Sequence, residues 1–327
     1  MSYKILHVKS TKDEIDEFAK DVDMGLSANP KYLKSKYFYD AKGVKIYENI
    51  MNMPEYYLIA SEYQANGRLS AGITDFISGS RINIAEFGPG NGEKTLLFMQ
   101  NCIQHNLTIK YIPIDISKES ITYITDVFTK KLPQISIKGI VGDYTHGIDE
   151  LTNLEPDNPK IILFMGSNIG NFSNEEEIEF ISNIAEKMNE HDSLIISFDL
   201  VKDIDTMFNA YNDPYGHTSR FNLNLLDRIN TTLGGDINLS NFHHEEPFNQ
   251  ETSCMESYLV SNVDQTIHLN SLDKEFHISS GEKISTEISR KYTLDYIDNL
   301  AVEAKIKVVK QYFDDSEGYA ICVFKIN

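Results

Sequence analysis

The residues with the clearest chemical potential stand where apolar runs end. Glu86-Phe87-Gly88-Pro89-Gly90-Asn91-Gly92 follows Ile82-Asn83-Ile84-Ala85 and precedes a stretch whose Leu96, Leu97 and Met99 recur at helical spacing. Glycines in a strand-to-helix turn let the backbone come close to a ligand at the carboxyl edge of a sheet. Asp115 closes the run Tyr111-Ile112-Pro113-Ile114, and Asp143 with Tyr144 closes the run Ile135 to Val141. In a doubly wound sheet the first acid faces a ribose, whose hydroxyls donate to it. The second offers an acceptor beside an aromatic face, which suits an adenine. Three such features in order point to a nucleoside cofactor. The usual dinucleotide fingerprint is G-x-G-x-x-G, whereas the spacing here is G-x-G-x-G led by an acid. That favours S-adenosylmethionine, which has no phosphates, and spacing alone leaves NAD open. Glu86 is expected to hold the methionine amine, with Lys94 or the N–H groups around Gly88 and Gly90 on the carboxylate.

Such groups need a sheet to carry them. Ser117-Lys118-Glu119 marks a helix start after the second run, and Ser173-Asn174-Glu175-Glu176 marks another with an acidic first turn. Ile161 to Met165 is continuous in apolar residues, as in a strand covered on both faces, and Leu194 to Asp199 is a fifth strand. Repeated βα units predict an α/β fold, a Rossmann-like, doubly wound and mostly parallel sheet. Lys305 to Phe313 and Tyr319 to Ile326 read as a hairpin around Asp314 to Gly318. The flanks differ. Residues up to about Ser61 are rich in tyrosine and charge and look helical. Lys202 to Lys291 mixes a helix, Asn222 to Leu233, with strand-like runs at Met255 to Val260 and Asp264 to Leu269. His243-His244-Glu245-Glu246 lacks an i, i+4 helical spacing and a further ligand, so it reads as a polar loop, and no metal site is expected.

Composition narrows the partners. Lys and Arg number 30 and Asp and Glu 49 in 327 residues, a formal net charge of −19. So acidic a chain repels phosphate backbones and anionic membrane surfaces, and no dense run of Lys and Arg offsets this. No apolar run approaches the roughly 20 residues of a membrane span, and Met1 to Ser10 lacks an apolar signal core. Three widely spaced cysteines, Cys102, Cys254 and Cys322, fit a reducing cytoplasm. A cytoplasmic monomer acting on free small molecules is the expectation.

The chain also resembles the histidine-specific, S-adenosylmethionine-dependent methyltransferases that make hercynine, the precursor of ergothioneine. Fungal N-methyltransferases of tryptophan-derived amino acids belong to the same broader group. The resemblance runs along nearly the whole chain. It rests on Tyr39-Asp40 with Gly43, Pro54 to Tyr57, Glu86 to Thr95, Pro113 to Asp115, Gly142-Asp143, Gly166 to Phe172, Asp199 to Asp203, Ala210 to Asp213, Phe221 to Asn224, and Thr286 to Ser289 with Lys291. It implies a class I methyltransferase domain from residues 62–201 and 292–327, and an inserted α+β substrate-binding domain from 1–61 and 202–291. It implies that Tyr56, Gly88, Lys94, Asp115, Asp143 and Tyr144 hold the cofactor. Asn171 would meet the substrate amine, Tyr211 its carboxylate, and Glu287 and Ser289 an imidazole, with Tyr39 and Tyr47 lining the amine side. There are departures. Ser257 stands where a family member has Met against the imidazole, Asn168 replaces Thr, Tyr144 replaces Phe, and Tyr47 replaces Phe. A small, polar Ser257 would enlarge or rewet the pocket. The resemblance therefore implies N-methylation of a free amino acid, histidine first and another aromatic amino acid second. An NAD-dependent enzyme and a non-catalytic S-adenosylmethionine sensor are the remaining alternatives.

Overall fold

The computed structural model describes residues 11–77, 79–154 and 158–327, and the chain divides into two units. The first comprises Leu58–Val201 and Tyr292–Asn327; the second comprises residues 11–57 and Lys202–Lys291. Met1 to Ser10, read above as lacking a signal core, lie outside the described residues.

An eight-stranded sheet organises the first unit. Its order is Ile306–Phe313, Tyr319–Ile326, Ser193–Asp199, Lys160–Phe164, Arg81–Phe87, Thr108–Asp115, and then Ser136–Ile137 with Ile140–Val141 at the edge. The pairing within the hairpin and its pairing with Ser193–Asp199 are antiparallel, and the other pairings are parallel. Alternate side chains feed two cores. Ala85, Phe87, Ile112, Ile114, Ile162 and Phe164 enter one; Ile82, Ile84, Ile109, Tyr111, Ile161 and Leu163 enter the other. Burial on both faces explains why these strands read as unbroken apolar runs. The order reverses at Arg81–Phe87: the chain first runs outward on one side of it, through Thr108–Asp115 to the edge, and then returns to its other side at Lys160–Phe164. Such a switch point opens a crevice at the carboxyl ends of the two central strands, where the loops after Phe87 and Phe164 begin.

The third run differs from expectation. Ile135 to Val141 is not one strand but two short ones, Ser136–Ile137 and Ile140–Val141. The carbonyls of Tyr111 and Asp115 face this edge, accepting from the N–H groups of Lys138 and Gly142. Pro113 lies between them on the same side of its strand, and it has no N–H to continue the ladder.

In the second unit, Lys31–Tyr32, Lys283–Arg290, Cys254–Ser261 and Phe242–Glu245 form a sheet in that order, with Phe248–Asn249 also on Cys254–Ser261. One core gathers Phe18, Phe38, Phe221, Leu225, Ile229, Leu259 and Ile284 from the helices Thr11–Ser27 and His217–Leu233, the turn Ser35–Phe38 and the sheet. The long helix starts at His217, five residues before the expected Asn222. Asp213, ahead of a turn at Gly216, accepts from the N–H groups of Tyr215, His217 and Thr218, so a carboxylate outside the apolar pattern serves the orphan donors of the first turn. A register shift lies between Ser257 and Tyr258: Ser257 pairs with Glu287 and Tyr258 with Ser285, leaving Thr286 as the extra residue. The Thr286 hydroxyl is bonded to Asn222 Oδ1 at 2.7 Å and to the Ser257 carbonyl at 3.1 Å. Bulges of this kind re-aim the side chains beside them.

Two glycines make contrasting predictions. Gly92 opens the helix Glu93–Gln104 with φ +72°, and a Cβ there would lie 2.5 Å from Ile124 Cδ1. Gly67 lies exposed inside the helix Leu58–Ala71 with open space around its missing Cβ. Gly92→Ala should lower the unfolding free energy by about 1–3 kcal/mol, and Gly67→Ala should raise it by about 0.5–1 kcal/mol. Urea denaturation of the two variants measures both signs.

Candidate active site

The cofactor residues expected from the sequence collect along the carboxyl edge of the first unit's sheet. Gly88, Gly90 and Gly92 all take positive φ, which few other residues tolerate. A Cβ on Gly88 would sit 3.5 Å from the Tyr144 hydroxyl, so the missing side chain keeps the loop open beside that ring. Tyr144 packs edge-on against Phe87 and Phe164, with ring centroids 5.8 and 5.4 Å away. Asp115 accepts from the Ser117 N–H at 2.7 Å, and burial pushes its carboxyl up to about 6. Asp143 caps the helix Tyr144–Leu151 through Oδ1, which faces the N–H and Nδ1 of His146 at 2.9 and 2.7 Å. On the other side of the switch point, Gly166 (φ +87°) and Ser167 (φ +55°) lead into a single helical turn, Asn168–Asn171, that ends at Asn171. A serine held in the left-handed region stores strain of about 1–3 kcal/mol. It persists here because the Ser167 N–H donates to Ser197 Oγ and its hydroxyl bonds the Tyr319 hydroxyl, each at 2.9 Å.

Two expected contacts are placed differently. Glu86 is 2% exposed and does not face the loop; its two oxygens accept from the hydroxyls of Thr95 and Tyr111. It lies between the strand and the helix that the loop joins, and a carboxylate there must be met by internal donors. Lys94 donates to Glu62, a residue to which the sequence reading assigned no role. Glu62 is 2% exposed and also accepts from the Gly166 N–H at 2.6 Å and Ser197 Oγ at 3.3 Å. It is missed because no motif surrounds it: it sits in the helix Leu58–Ala71 among Ser, Tyr and Gln. Lys94 is the one cation within residues 88–97, and Glu62 already balances it. This donor set fits the carboxylate, ribose and adenine of S-adenosylmethionine and offers no counter-charge for a pyrophosphate.

The substrate residues expected from the sequence, Asn171 apart, gather in the second unit, as does Tyr56. Met255 and Ser257 share one face of Cys254–Ser261, opposite Ser289 and Glu287. Met255 is therefore present on this face, two residues from Ser257, and packs with Met207 and Tyr211. Tyr211 and Ser289 hydroxyls stand 2.8 Å apart. Lys291, 1% exposed, donates to the Tyr211 hydroxyl at 2.7 Å and to the Ser289 hydroxyl at 2.9 Å. Rings continue from Tyr211 to Tyr56 (6.3 Å), Tyr47 (6.4 Å) and Tyr39 (5.5 Å), and the Tyr47 and Tyr56 hydroxyls are 3.4 Å apart.

His243 to Glu246 do not form the expected polar loop. Phe242–Glu245 is a strand, and alternation divides the motif: His243 and Glu245 are exposed, whereas the His244 side chain and Glu246 are buried. His244 Nε2 lies 2.8 Å from Glu246 Oε2, and Ser257 donates to the same oxygen. Glu287 keeps some solvent access, yet it is enclosed enough that desolvation, followed by the charge of Glu246, lifts its carboxyl to about 8, with Lys291 opposing. Glu246 and Lys291 were legible in principle. Lys291 continues the two-residue period of Glu287 and Ser289, and Glu246 that of His244.

The raised acids make stability depend on pH. An acid whose folded pKa exceeds its unfolded value binds more protons when folded, so stability falls as pH climbs from the unfolded to the folded value. For Asp115 and Glu287 together that window runs from about pH 4 to about pH 8. Without ligands, the melting temperature should fall as pH rises through it. Glu287→Gln should flatten the curve between about pH 6 and 8 and roughly halve its slope between about pH 4 and 6, where Asp115 still contributes.

A model of the histidine-specific, S-adenosylmethionine-dependent methyltransferase family matches residues 18–326. The chain is 28% identical over 321 residues to the histidine N-alpha-methyltransferase of Mycolicibacterium smegmatis, covering 98% of both chains. It is 27% identical over 303 residues to the histidine N-alpha-methyltransferase of Mycobacterium tuberculosis, covering 92% of both. It is 23% identical over 317 residues to an L-tryptophan methyltransferase of Psilocybe serbica, covering 90% of this chain and 88% of that one. With the switch-point sheet, the glycine loop and the ordered acids, the match over residues 18–326 places this chain in the family of S-adenosylmethionine-dependent, histidine-specific methyltransferases.

Proposed function

We propose that the chain methylates the α-amino group of free L-histidine in successive transfers, ending at N,N,N-trimethylhistidine (hercynine). The observation that carries this is the shared face of the second unit's sheet. Glu287 and Ser289 stand on it two residues apart, spaced for the two nitrogens of one imidazole, with the hydroxyl of Tyr211 and the ammonium of Lys291 next to Ser289.

When bound, S-adenosylmethionine supplies an electrophilic sulfonium methyl, and the protein's task is placement. The backbone at Gly88 and Gly90 takes the methionine end, with Lys94 held beside it by Glu62, Asp115 the ribose, and Asp143 with Tyr144 the adenine; Tyr56 is assigned to the cofactor as well. Glu86 acts from behind by fixing the strand and helix that the loop joins. The substrate amine has to be neutral to attack, and a nearby sulfonium charge lowers its pKa. Asn171, a neutral amide, accepts from the amine without favouring the ammonium, as an aspartate would. Tyr211 donates to the substrate carboxylate, with the Lys291 charge behind it. The last product is a quaternary ammonium with no N–H, and aromatic faces stabilise such a cation by about 0.5–2 kcal/mol. Tyr39, 47% exposed and edge-on to Tyr47, supplies such a face. An indole has a single N–H, so it leaves Glu287 or Ser289 unpaired, at about 1–3 kcal/mol. We place the reaction in the cytoplasm, carried out by a single chain on free small molecules. The three cysteines are buried and unpaired, as a reducing compartment favours. Among the described residues no helix is long and apolar enough to cross a membrane.

Incubation with methyl-labelled S-adenosylmethionine and the twenty amino acids, read by mass spectrometry, should yield trimethylated histidine. Label on a different amino acid, or on none, overturns the substrate. Tyr39→Ala should accumulate mono- and dimethylhistidine; trimethylated product at the wild-type rate would remove Tyr39 from this role. Glu287→Ala should weaken histidine binding by about tenfold or more while the cofactor's Kd stays within about twofold. Equal losses of both would count against the assignment.

A further inference from the structure

Glu246, His244 and Ser257 have buried side chains that contact one another, and only Ser257 has been given a place in the substrate pocket. Glu246 is 3% exposed and Ser257 1% exposed, and Ser257 is the residue paired across the strands with Glu287. Two carboxylates are thus set beside one substrate subsite. We infer that Glu246, clamped by His244 and Ser257, is a specificity-determining positioning residue whose charge, added to that of Glu287, makes this subsite bind the imidazole as the imidazolium cation. This rests on the histidine reading and deepens it.

The donors and acceptors around the ring impose the same cation. Lys291 has donors only, and it points them at the oxygens of both Tyr211 and Ser289. Tyr211 has one hydroxyl hydrogen. If that hydrogen goes to the substrate carboxylate, the 2.8 Å contact between the two hydroxyls must be Ser289 donating to Tyr211. Ser289 then presents the ring with a lone pair and no hydrogen, and the Glu287 carboxylate presents lone pairs too. A ring that satisfies both must carry N–H on both nitrogens, which only the imidazolium does. The charges agree. The groups around Glu287 are Glu246 on the segment after Phe242–Glu245, His244 in contact with Glu246, Lys291 at the end of Glu287's own strand, and Tyr211 from the helix Ile204–Tyr211. Glu246 opposes the ionisation of Glu287, so in the free protein Glu287 holds a proton up to about pH 8. On binding, that proton passes from the Glu287 carboxyl to the neutral ring nitrogen. The O–H bond breaks, an N–H bond forms, and a carboxylate–imidazolium pair results with no proton exchanged with solvent. The attraction between the new carboxylate and the new cation drives the transfer, and the Glu246 charge, although it opposes ionisation of Glu287, adds its own attraction to the ring cation.

The test is nitrogen NMR of histidine labelled at both ring nitrogens, bound to the full chain with S-adenosylhomocysteine. At about pH 8, above the ring's ordinary pKa of about 6.5, both nitrogens should show protonated-type shifts. Glu246→Gln, which keeps the shape but removes the charge, should restore one pyridine-type nitrogen at that pH. It should also cut the kcat/KM preference for histidine over triazolylalanine, an isostere that stays neutral, by about tenfold, the equivalent of one pKa unit. Ser257→Ala, which loosens Glu246 without removing it, should move both readouts the same way by less, and it serves if the buried glutamine prevents folding. A pyridine-type nitrogen in the wild-type complex overturns the inference, as does a Glu246→Gln complex that titrates like wild type. If labelled histidine does not bind the wild-type protein at all, the substrate reading itself falls, and this inference with it.

Discussion

The Glu62 carboxylate gathers donors from three parts of the first unit: the Lys94 ammonium, the Gly166 amide and the Ser197 hydroxyl. Lys94 follows the glycine loop, Gly166 opens the loop after the neighbouring central strand, and Ser197 lies on the strand beyond. One buried charge therefore ties both sides of the switch point to the helix Leu58–Ala71. A carboxylate withdrawn from water costs several kcal/mol unless donors replace the solvent. The donors cannot drift without exposing that cost, so the spacing of the two loops is held by electrostatics as well as by packing. The left-handed conformation of Ser167 is kept within the same set of contacts.

The acids withdrawn from solvent meet two different conditions. In the first, Glu62, Glu86 and Glu177 are each matched by hydroxyl, amide or ammonium donors of the protein; Glu177 accepts from the hydroxyls of Tyr292 and Tyr296. Acids so matched are structural. In the second, Glu287 has Glu246 as a neighbour, and burial and like charge both oppose its ionisation. A pair in that condition gains when a cation arrives, and its perturbed carboxyl marks a functional position. The net charge of −19 is shared between a large acidic surface and these few interior groups. The total describes the molecule as a whole, while the proposed chemistry belongs to the individual acids.

Much of the fold was legible because period and punctuation carry it. Apolar runs that end in glycine or aspartate mark strands covered on both faces, and Ser117 and Ser173 cap the helices they were expected to cap. Where local pattern misled, a feature distant in sequence or in space was responsible. Pro113 breaks the edge pairing of a neighbouring strand, and Asp213 starts a helix ahead of its apolar pattern. His243 to Glu246 looked like a polar loop because alternation over four residues is too short to separate a half-buried strand from a solvated turn. The motif residues proposed for the site were named through the resemblance. Their supporting groups, Glu62, Glu246 and His244, were not, since a glutamate in a helix or a histidine in a polar run carries no local sign of burial.

By itself the sequence determined the order of strands and helices, the glycine loop, the acids at the strand ends and the family. Each of these depends on residues close together along the chain or on a pattern of motifs spread in order. Only the tertiary structure decided which polar groups are inside and what they face. It turned Glu86 toward Thr95 and Tyr111, gave Lys94 to Glu62, and used the bulge at Thr286 to set Ser257 opposite Glu287. The physical reason is that the cost of burying a charge, and the donor that offsets it, are set by neighbours in space. Glu62 and Ser197 are 135 residues apart along the chain and in contact across it.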